Sequence, residues 1–398
     1  MSKNTPPLVP MSNPDITEAE RDAVMEVLRT PHLSMGPQID AFEKSIAVYV
    51  GADHAIAVNS GTAGLHLCVR AAGIETGDLV ITTPFSFVAS TNVILFEKAI
   101  PVFVDVDPQT GNLNPELVEQ AVRDIEKGGS AVRKWLPRRG AENPGKLKAI
   151  LAVDVFGQPA DYDRIKKTAD DHGLKLIEDS CESLGAEYKS RKTGLFGDYG
   201  VFAFYPNKQI TTGEGGMIVT NDANAAGFMR AMRSQGRAPG DNWLQHTILG
   251  YNYRLDDMSA ALGCVQMSRI EELLTKRQQV ADWYAERLSE IQGAEAPSLT
   301  PETTRVSWFV YVIRFNPGLD RDRIAAKLIE KGIPVRPYFL PIHLQPYIVD
   351  LFGFKAGDYP VTEDLGQCGL ALPFSGKMNE AQVDTVCQML RECLTSLG

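Results

Sequence analysis

The sequence predicts an α/β protein, with a large domain built on a mostly parallel sheet and a smaller C-terminal α+β domain. Between residues 54 and 220, short apolar runs alternate with segments of helical periodicity, the pattern of strands joined by crossover helices. Beyond residue 220 the pattern turns mainly helical and ends in a strand, helix, loop and helix. The length, 398 residues, exceeds what one ordinary core organises, so two units are expected.

Residues 1–13 are polar and proline-rich and read as a flexible arm. Thr17 with Glu18 and Glu20 opens a helix that Pro31 ends. Gly36-Pro37 begins a second helix, with Ile39, Phe42 and Ile46 on its apolar face. His54–Val58 is a strand, and NSGTAG leads from it into the helix LHLCVRAAG. That junction is an anion site in outline, where free N–H groups, a positive dipole end and two hydroxyls converge. Plain capping by Ser60 or Thr62 is the alternative.

Strands follow at Asp78–Thr82, Pro101–Asp105, Lys148–Val155 and Lys175–Ile177, the last ending in Glu178-Asp179. Helices are expected after PFSFVAS, at 115–127 and at 161–172, and residues 128–146 read as a basic surface loop. Val201–Tyr205 and Met217–Thr220 are two more strands. The large domain is expected over 14–256, a long or kinked connecting helix over 257–292, and the small domain over 293–398. The small domain shows a strand at Trp308–Phe315, a helix at 320–331 and a last helix at 379–396.

Hydrophobic residues make up 44% and charged residues 23%, the composition of a globular protein in water. A net charge of −10 and a pI near 5.2 argue against a nucleic-acid binder. The six cysteines form no C-x-x-C pair, so neither zinc spacing nor a disulfide framework is present, and no metal is expected. The polar start holds no leader-peptide core, and no run reaches the ~18 apolar residues of a membrane span. A reducing cytoplasm is therefore the expected location.

The chemistry centres on GLFGDYGVFAFYPNKQITTGEGGMIVT, residues 194–220. Lys208 is the only cation between Lys192 and Arg230, and it stands where a buried strand meets a glycine-rich loop. An amine displayed there can form a Schiff base with an aldehyde. In open sheets of this kind ligands sit at the carboxyl ends of strands, so Ser60, Phe87, Asp179 and Lys208 are expected to share one crevice. Pyridoxal phosphate matches that set. Ser60, Gly61, Thr62 and Ala63 offer donors to its phosphate, and Asp179 offers a carboxylate to its pyridine nitrogen. Phe87 or Phe85 can stack on the ring, and Lys208 can take the aldehyde.

The ordered motifs LSMGPQIDAFE, VNSGTAGLHL, PFSFVAS, PVFVDVDP, FGQPADYD, IEDSCESLGAEY, FGDYGVFAFYPNKQITTGEGG, GYNYRLDDMSAALG, RPYFLPIHLQPY and LALPF resemble the nucleotide-sugar aminotransferases of the DegT/DnrJ/StrS family, within the fold-type I pyridoxal-phosphate enzymes. The resemblance runs from about Asp15 to the last helix and implies an aspartate-aminotransferase-like fold. It implies that Lys208 is the Schiff-base lysine and the acid/base, that Asp179 pairs with the pyridine nitrogen, and that Phe87 stacks on the ring. It places Gly61 and Thr62 at the phosphate, joined by Asn252 from the neighbouring subunit, which makes a homodimer with shared sites. Ser34, Glu214, Tyr338 and His343 lie in stretches that line the sugar-nucleotide site of relatives.

Three features depart from the family pattern, one of them the 128–146 loop, which is longer than usual. Ala203 replaces a phosphate-binding serine, and Glu182 stands near the cofactor where Gln or His is common. The implied reaction moves an amino group from glutamate to a keto-sugar nucleotide, at C4 of a 4-keto-6-deoxy sugar on the evidence of TTGEGG. Amination at C3 is the alternative, as is a sugar 3-dehydratase on the same scaffold, although relatives with that activity carry histidine in place of the lysine. A dinucleotide-binding dehydrogenase fits poorly, because no G-x-G-x-x-G follows an early strand.

Overall fold

The computed structural model describes residues 7–237, 240, 242 and 244–396. The chain runs α1 (Glu18–Leu28), α2 (Pro37–Val50), β1 (His54–Val58), α3 (Gly61–Ala71), β2 (Leu79–Thr82), α4 (Ala89–Phe96), β3 (Ile100–Phe103) and α5 (Pro115–Lys127). It continues with β4 (Leu147–Val153), α6 (Tyr162–Asp171), β5 (Lys175–Asp179), β6 (Glu187–Tyr188), β7 (Arg191–Lys192), β8 (Tyr199–Ala203), β9 (Gly216–Thr220), α7 (Ala223–Arg233) and α8 (Asp257–Ser268). Then follow α9 (Ile270–Leu288), β10 (Ala294–Glu295), β11 (Thr303–Arg305), β12 (Tyr311–Phe315), α10 (Arg321–Glu330), α11 (Pro346–Phe352), α12 (Pro360–Cys368), β13 (Gly369–Leu372) and α13 (Glu380–Thr395).

The central sheet has seven strands in the order β1-β9-β8-β5-β4-β2-β3. Only β9 runs against the others, pairing antiparallel with both β1 and β8. Successive residues of each strand enter opposite cores. Ile56, Val58, Val80, Leu151, Val201 and Ile218 pack under α3, α4 and α7. Ala57, Phe202 and Met217 face α2 and α8, while Ile81, Ile150 and Leu176 face α5 and α6. Both faces are covered, which is why these strands read as continuous apolar runs instead of alternating ones.

All six parallel strands end on one side, and β9 begins there. The crevice expected from the strand ends therefore forms along that edge. The carboxylates at the end of the fifth strand stand side by side in sequence but part in space. Glu178 turns away and accepts from the amides of Gly194 and Gly197, while Asp179 faces the crevice.

The expected connecting helix is two helices broken at Arg269, whose backbone leaves helical geometry (φ −109°, ψ 8°). Its guanidinium meets Asp15, Glu20 and Glu272, so the break is pinned by charge. Beyond the break, α9 contributes Val280, Ala281, Tyr284 and Leu288 to the small-domain core, with β12, α10 and α13.

The expected arm behaves differently from a loose segment, as far as it is described. Residues 1–6 lie outside the described residues. Val9 is 1% exposed within the small-domain core. Leu8 N–H donates to the Gly332 carbonyl at 3.0 Å, and Phe374 N–H to the Met11 carbonyl at 2.9 Å. One buried valine and two backbone bonds decide the matter, and neither is visible in a proline-rich stretch.

Two arginines of the 128–146 loop are held by acceptors within the protein. Arg138 pairs with Asp358, and Arg139 donates to the Val349 carbonyl, so the loop is strapped to the segment around α11. Among the described residues, no helix is long and apolar enough to cross a membrane.

Candidate active site

The strand ends enclose a cleft of about 520 Å³, within the range of small-molecule sites. Ser60, Gly61, Thr62, Phe87, Asp179, Glu182, Lys208, Glu214 and Tyr338 all line it, although they come from stretches nearly 280 residues apart.

Ser60 caps α3, and its hydroxyl oxygen accepts from the Ala63 N–H at 3.1 Å. That N–H is therefore occupied within the chain, and Ala63 is not among the cleft-lining residues. The amides of Gly61 and Thr62 have no intrahelical acceptor by position and open on the cleft at the positive end of the helix. The backbone at Gly61 comes close to the next strand. A Cβ there would lie 2.8 Å from both the Ala203 methyl and the Cys181 sulfur. So Ala203 sits directly against the helix start. Gly61→Ala is expected to shift this turn and weaken cofactor affinity by roughly tenfold or more, about 1.4 kcal/mol, in a fluorescence titration of the apoprotein.

Asp179 lines the same cleft. It is 7% exposed, and burial pushes its carboxyl up while the Lys208 charge opposes the rise. Its Oδ1 accepts from the Cys181 N–H at 3.3 Å. A buried carboxylate so sparsely paired favours a cationic donor in the cleft.

Behind this turn Asp154 accepts from the hydroxyls of Tyr162, Ser180 and Ser183, each at 2.7 Å. Burial raises Asp154 to about 6, and the four donors around it, including the Ala160 amide, oppose that rise. This network fixes residues 180–183 and with them the next acid, Glu182.

Lys208 reaches between Glu182 and an aromatic ring. Its Nζ is 3.6 Å from Glu182 Oε1 and 3.7 Å from the centroid of Phe309. Glu182 Oε2 accepts from the Phe156 N–H at 2.9 Å. Phe156 holds a left-handed backbone (φ 59°) that turns this amide onto the carboxylate, a strained conformation of the kind found at working sites. Burial raises Glu182, and the Lys208 charge and the Phe156 amide hold it down.

Of the two phenylalanines, Phe87 is 64% exposed and lines the cleft, while Phe85 is 2% exposed. Phe85 packs edge-on against Phe156 and Phe339 and belongs to the core.

The other sequence-derived residues divide by location. Glu214 and Tyr338 line the cleft, but Ser34, Asn252 and His343 do not. Ser34 is exposed and bridges to Asp256 through its backbone. Asn252 is exposed on the loop between Tyr251 and Tyr253, whose rings stack 4.9 Å apart. His343 is 0% exposed, bonded to Glu363 at 3.0 Å with its ring edge-on to Tyr359, and burial lowers its pKa. A histidine so enclosed serves the packing around α12.

Sequence reasoning missed four residues. Asn207, Phe309 and Arg336 line the cleft. The fourth, Arg277, is buried on α9 and donates to the carbonyls of Asn207, Lys208, Trp308 and Phe309. Asn207 and Arg336 lie inside motifs already singled out, PNK and RPYFLP. Phe309 and Arg277 carry no local signal, because their partners are 31 to 101 residues away along the chain.

The chain has relatives. A sequence profile of the DegT/DnrJ/EryC1/StrS aminotransferase family matches residues 14–391. The chain belongs to this family.

A GDP-perosamine synthase of Caulobacter vibrioides is 37% identical over 98% of this chain and 99% of its own. A family aminotransferase from Brucella abortus is 32% identical, covers 94% of this chain and 95% of its own, and superposes with a TM-score of 0.84. A putative sugar aminotransferase from Streptococcus pneumoniae, solved in its PLP form, is 25% identical over 98% of this chain and 99% of its own, with a TM-score of 0.87. This DegT-family chain is an aminotransferase, and its cofactor is pyridoxal phosphate.

The residues present fit that group. The α3 N-terminus suits a phosphate, Asp179 suits a pyridinium, and the buried Asn207 Oδ1 has no hydrogen-bond partner among the described residues.

Proposed function

We propose that this enzyme transfers the amino group of glutamate to a keto-sugar nucleotide, at C4 of a 4-keto-6-deoxy sugar. The observation that carries the reading is the placement of Lys208 and Asp179 in one cleft, facing the α3 N-terminus. Full-length similarity to a GDP-perosamine synthase supports a sugar nucleotide as the acceptor and makes GDP the first nucleotide to test.

Pyridoxal phosphate, when bound, supplies an electron sink for the carbanion formed at the substrate carbon. Lys208 is the residue to carry it and to move the proton at that carbon. The Lys208 amine lies over Phe309 and beside Glu182, so it meets one face of whatever fills the cleft. Asp179 would keep the pyridine nitrogen protonated, Gly61 and Thr62 would hold the phosphate, and exposed Phe87 would cover the ring. Tyr338 and Glu214 also line the cleft and would face the sugar.

A homodimer belongs to this reading, with Asn252 of each copy reaching the cofactor phosphate of the other. Its exposure, and its absence from its own cleft lining, support that arrangement. Six unpaired thiols support a reducing, cytoplasmic setting.

A panel of 4-keto and 3-keto nucleotide sugars, each supplied with glutamate, tests the proposal by mass spectrometry. The expected result is an amino sugar from the 4-keto compounds and 2-oxoglutarate in equal amount. Product from the 3-keto compounds alone overturns the C4 assignment, and a deoxy product without glutamate consumption overturns the transfer itself.

A further inference from the structure

The cleft has a charge problem that the cofactor does not solve. Asp179, Glu182 and Glu214 line it, against only two cations among the described lining residues, Lys208 and Arg336. The cofactor phosphate adds further negative charge. Yet both proposed substrates are anions: glutamate carries two carboxylates, and a sugar nucleotide carries a diphosphate. A transfer in two halves brings both substrates in turn to the same Lys208, so they occupy overlapping space. A cation of the chain itself, beside whatever the second copy of the proposed homodimer adds, can receive an anionic group each time.

Lys208 is committed to the reacting centre. Arg277 lies close by, but its guanidinium is buried and committed to four backbone carbonyls. Arg336 is different in both respects. It is exposed, and no carboxylate pairs with it among the described residues. Its backbone is fixed, because Arg336 N–H donates to the Ala371 carbonyl at 3.2 Å and Ala371 N–H donates back at 2.8 Å. Ala371 is 0% exposed in β13, so a free guanidinium projects from a rigid base. Its charge also reaches the cleft, since it holds down the Tyr338 phenol against the upward pull of burial and Glu182.

We propose that Arg336 is the shared anion receptor of the cleft, binding a carboxylate of the amino donor in one half-reaction and the diphosphate of the sugar nucleotide in the other. The planar fork of a guanidinium matches both groups, which a lysine ammonium does not. This inference rests on the glutamate and sugar-nucleotide reading above.

The test uses cofactor-loaded enzyme, with inorganic pyrophosphate as the diphosphate probe. The glutamate half-reaction is followed by the change in cofactor absorbance. In the unmutated enzyme, pyrophosphate is expected to compete with glutamate. Arg336→Ala is expected to raise both the glutamate dissociation constant and the pyrophosphate inhibition constant by roughly 10- to 100-fold, with a smaller fall in the limiting rate. Arg336→Lys should recover part of both losses. Non-competitive pyrophosphate overturns the proposal, as does a variant in which only one constant moves or only the limiting rate falls. If glutamate leaves the unmutated enzyme unchanged, the donor assignment itself falls, and the shared receptor with it. That failure is recognised by its appearance before any substitution is made.

Discussion

Lys208→Ala is expected to abolish turnover and to remove the absorbance of covalently held cofactor. The amine stands at the meeting point of three constraints. Arg277 fixes its backbone carbonyl, the Phe309 ring lies under its tip, and Glu182 flanks it at 3.6 Å. No other lysine lines the cleft among the described residues, so nothing can take over the covalent role or the proton transfer. Loss of a positioned acid/base alone costs up to about ten-thousand-fold, and loss of the covalent anchor adds to it.

The fold should survive, since Glu182 left without Lys208 can take up a proton, as burial already favours. Amino-sugar formation from glutamate, measured beside an absorbance spectrum of the cofactor-loaded variant, checks both halves. Retention of turnover together with the covalent spectrum would remove Lys208 from the assignment.

Asp179→Asn is expected to lower kcat by about a thousandfold or more while leaving the protein folded, because the acting charge is electrostatic and buried. Asparagine keeps the shape and the acceptor to the Cys181 amide. It loses the anion that would hold a pyridine nitrogen protonated. The side chain is 7% exposed, so solvent cannot replace that charge. Burial already pushes the aspartate toward its neutral form, and a cation bound beside it brings the pKa back down. Cofactor affinity should therefore fall along with kcat. The check is steady-state kinetics together with a cofactor titration. A variant within tenfold of the parent in kcat would show that the charge is not used.

The two substitutions differ in what they should leave behind. The lysine variant can still hold cofactor without a covalent bond, through the α3 amides and Asp179. The aspartate variant can still form the covalent bond but cannot use it well. Spectra of the two variants should therefore separate anchoring from activation.

Much of this site was readable along the chain because its parts are local. Ser60 follows a strand and starts a helix, Asp179 ends a strand, and Lys208 follows another. For a parallel sheet, strand ends gather on one edge whatever the order of the strands. That geometric rule was enough to bring Ser60, Phe87, Asp179 and Lys208 together. The two cores were readable for a similar reason, since a sheet covered on both faces needs apolar residues at every strand position.

Other features needed the folded chain. The motif PFSFVAS offers two phenylalanines two residues apart, and only burial tells the core ring from the exposed one. Ala63 reads as a phosphate donor until the Ser60 hydroxyl is seen to occupy its amide. His343 sits in a motif beside Tyr338, but the chain turns between them, leaving one in the cleft and the other sealed against Glu363. The break at Arg269 has no proline or glycine to announce it. It is set by acids from α1 and the segment before it, some 250 residues away in sequence.

The sequence by itself determined the α/β class, the order of most elements, and four of the groups that line the cleft. It did so because periodicity, capping and strand-end placement act over a few residues. The tertiary structure alone decided which free cation remains in an acid-lined cleft, which aromatic rings border it, and how the Lys208 backbone is held. Arg277, Phe309 and Arg336 come from α9 and the small domain. Their contacts with the cleft depend on the packing of one domain on the other, and long-range packing leaves no periodic trace in the chain.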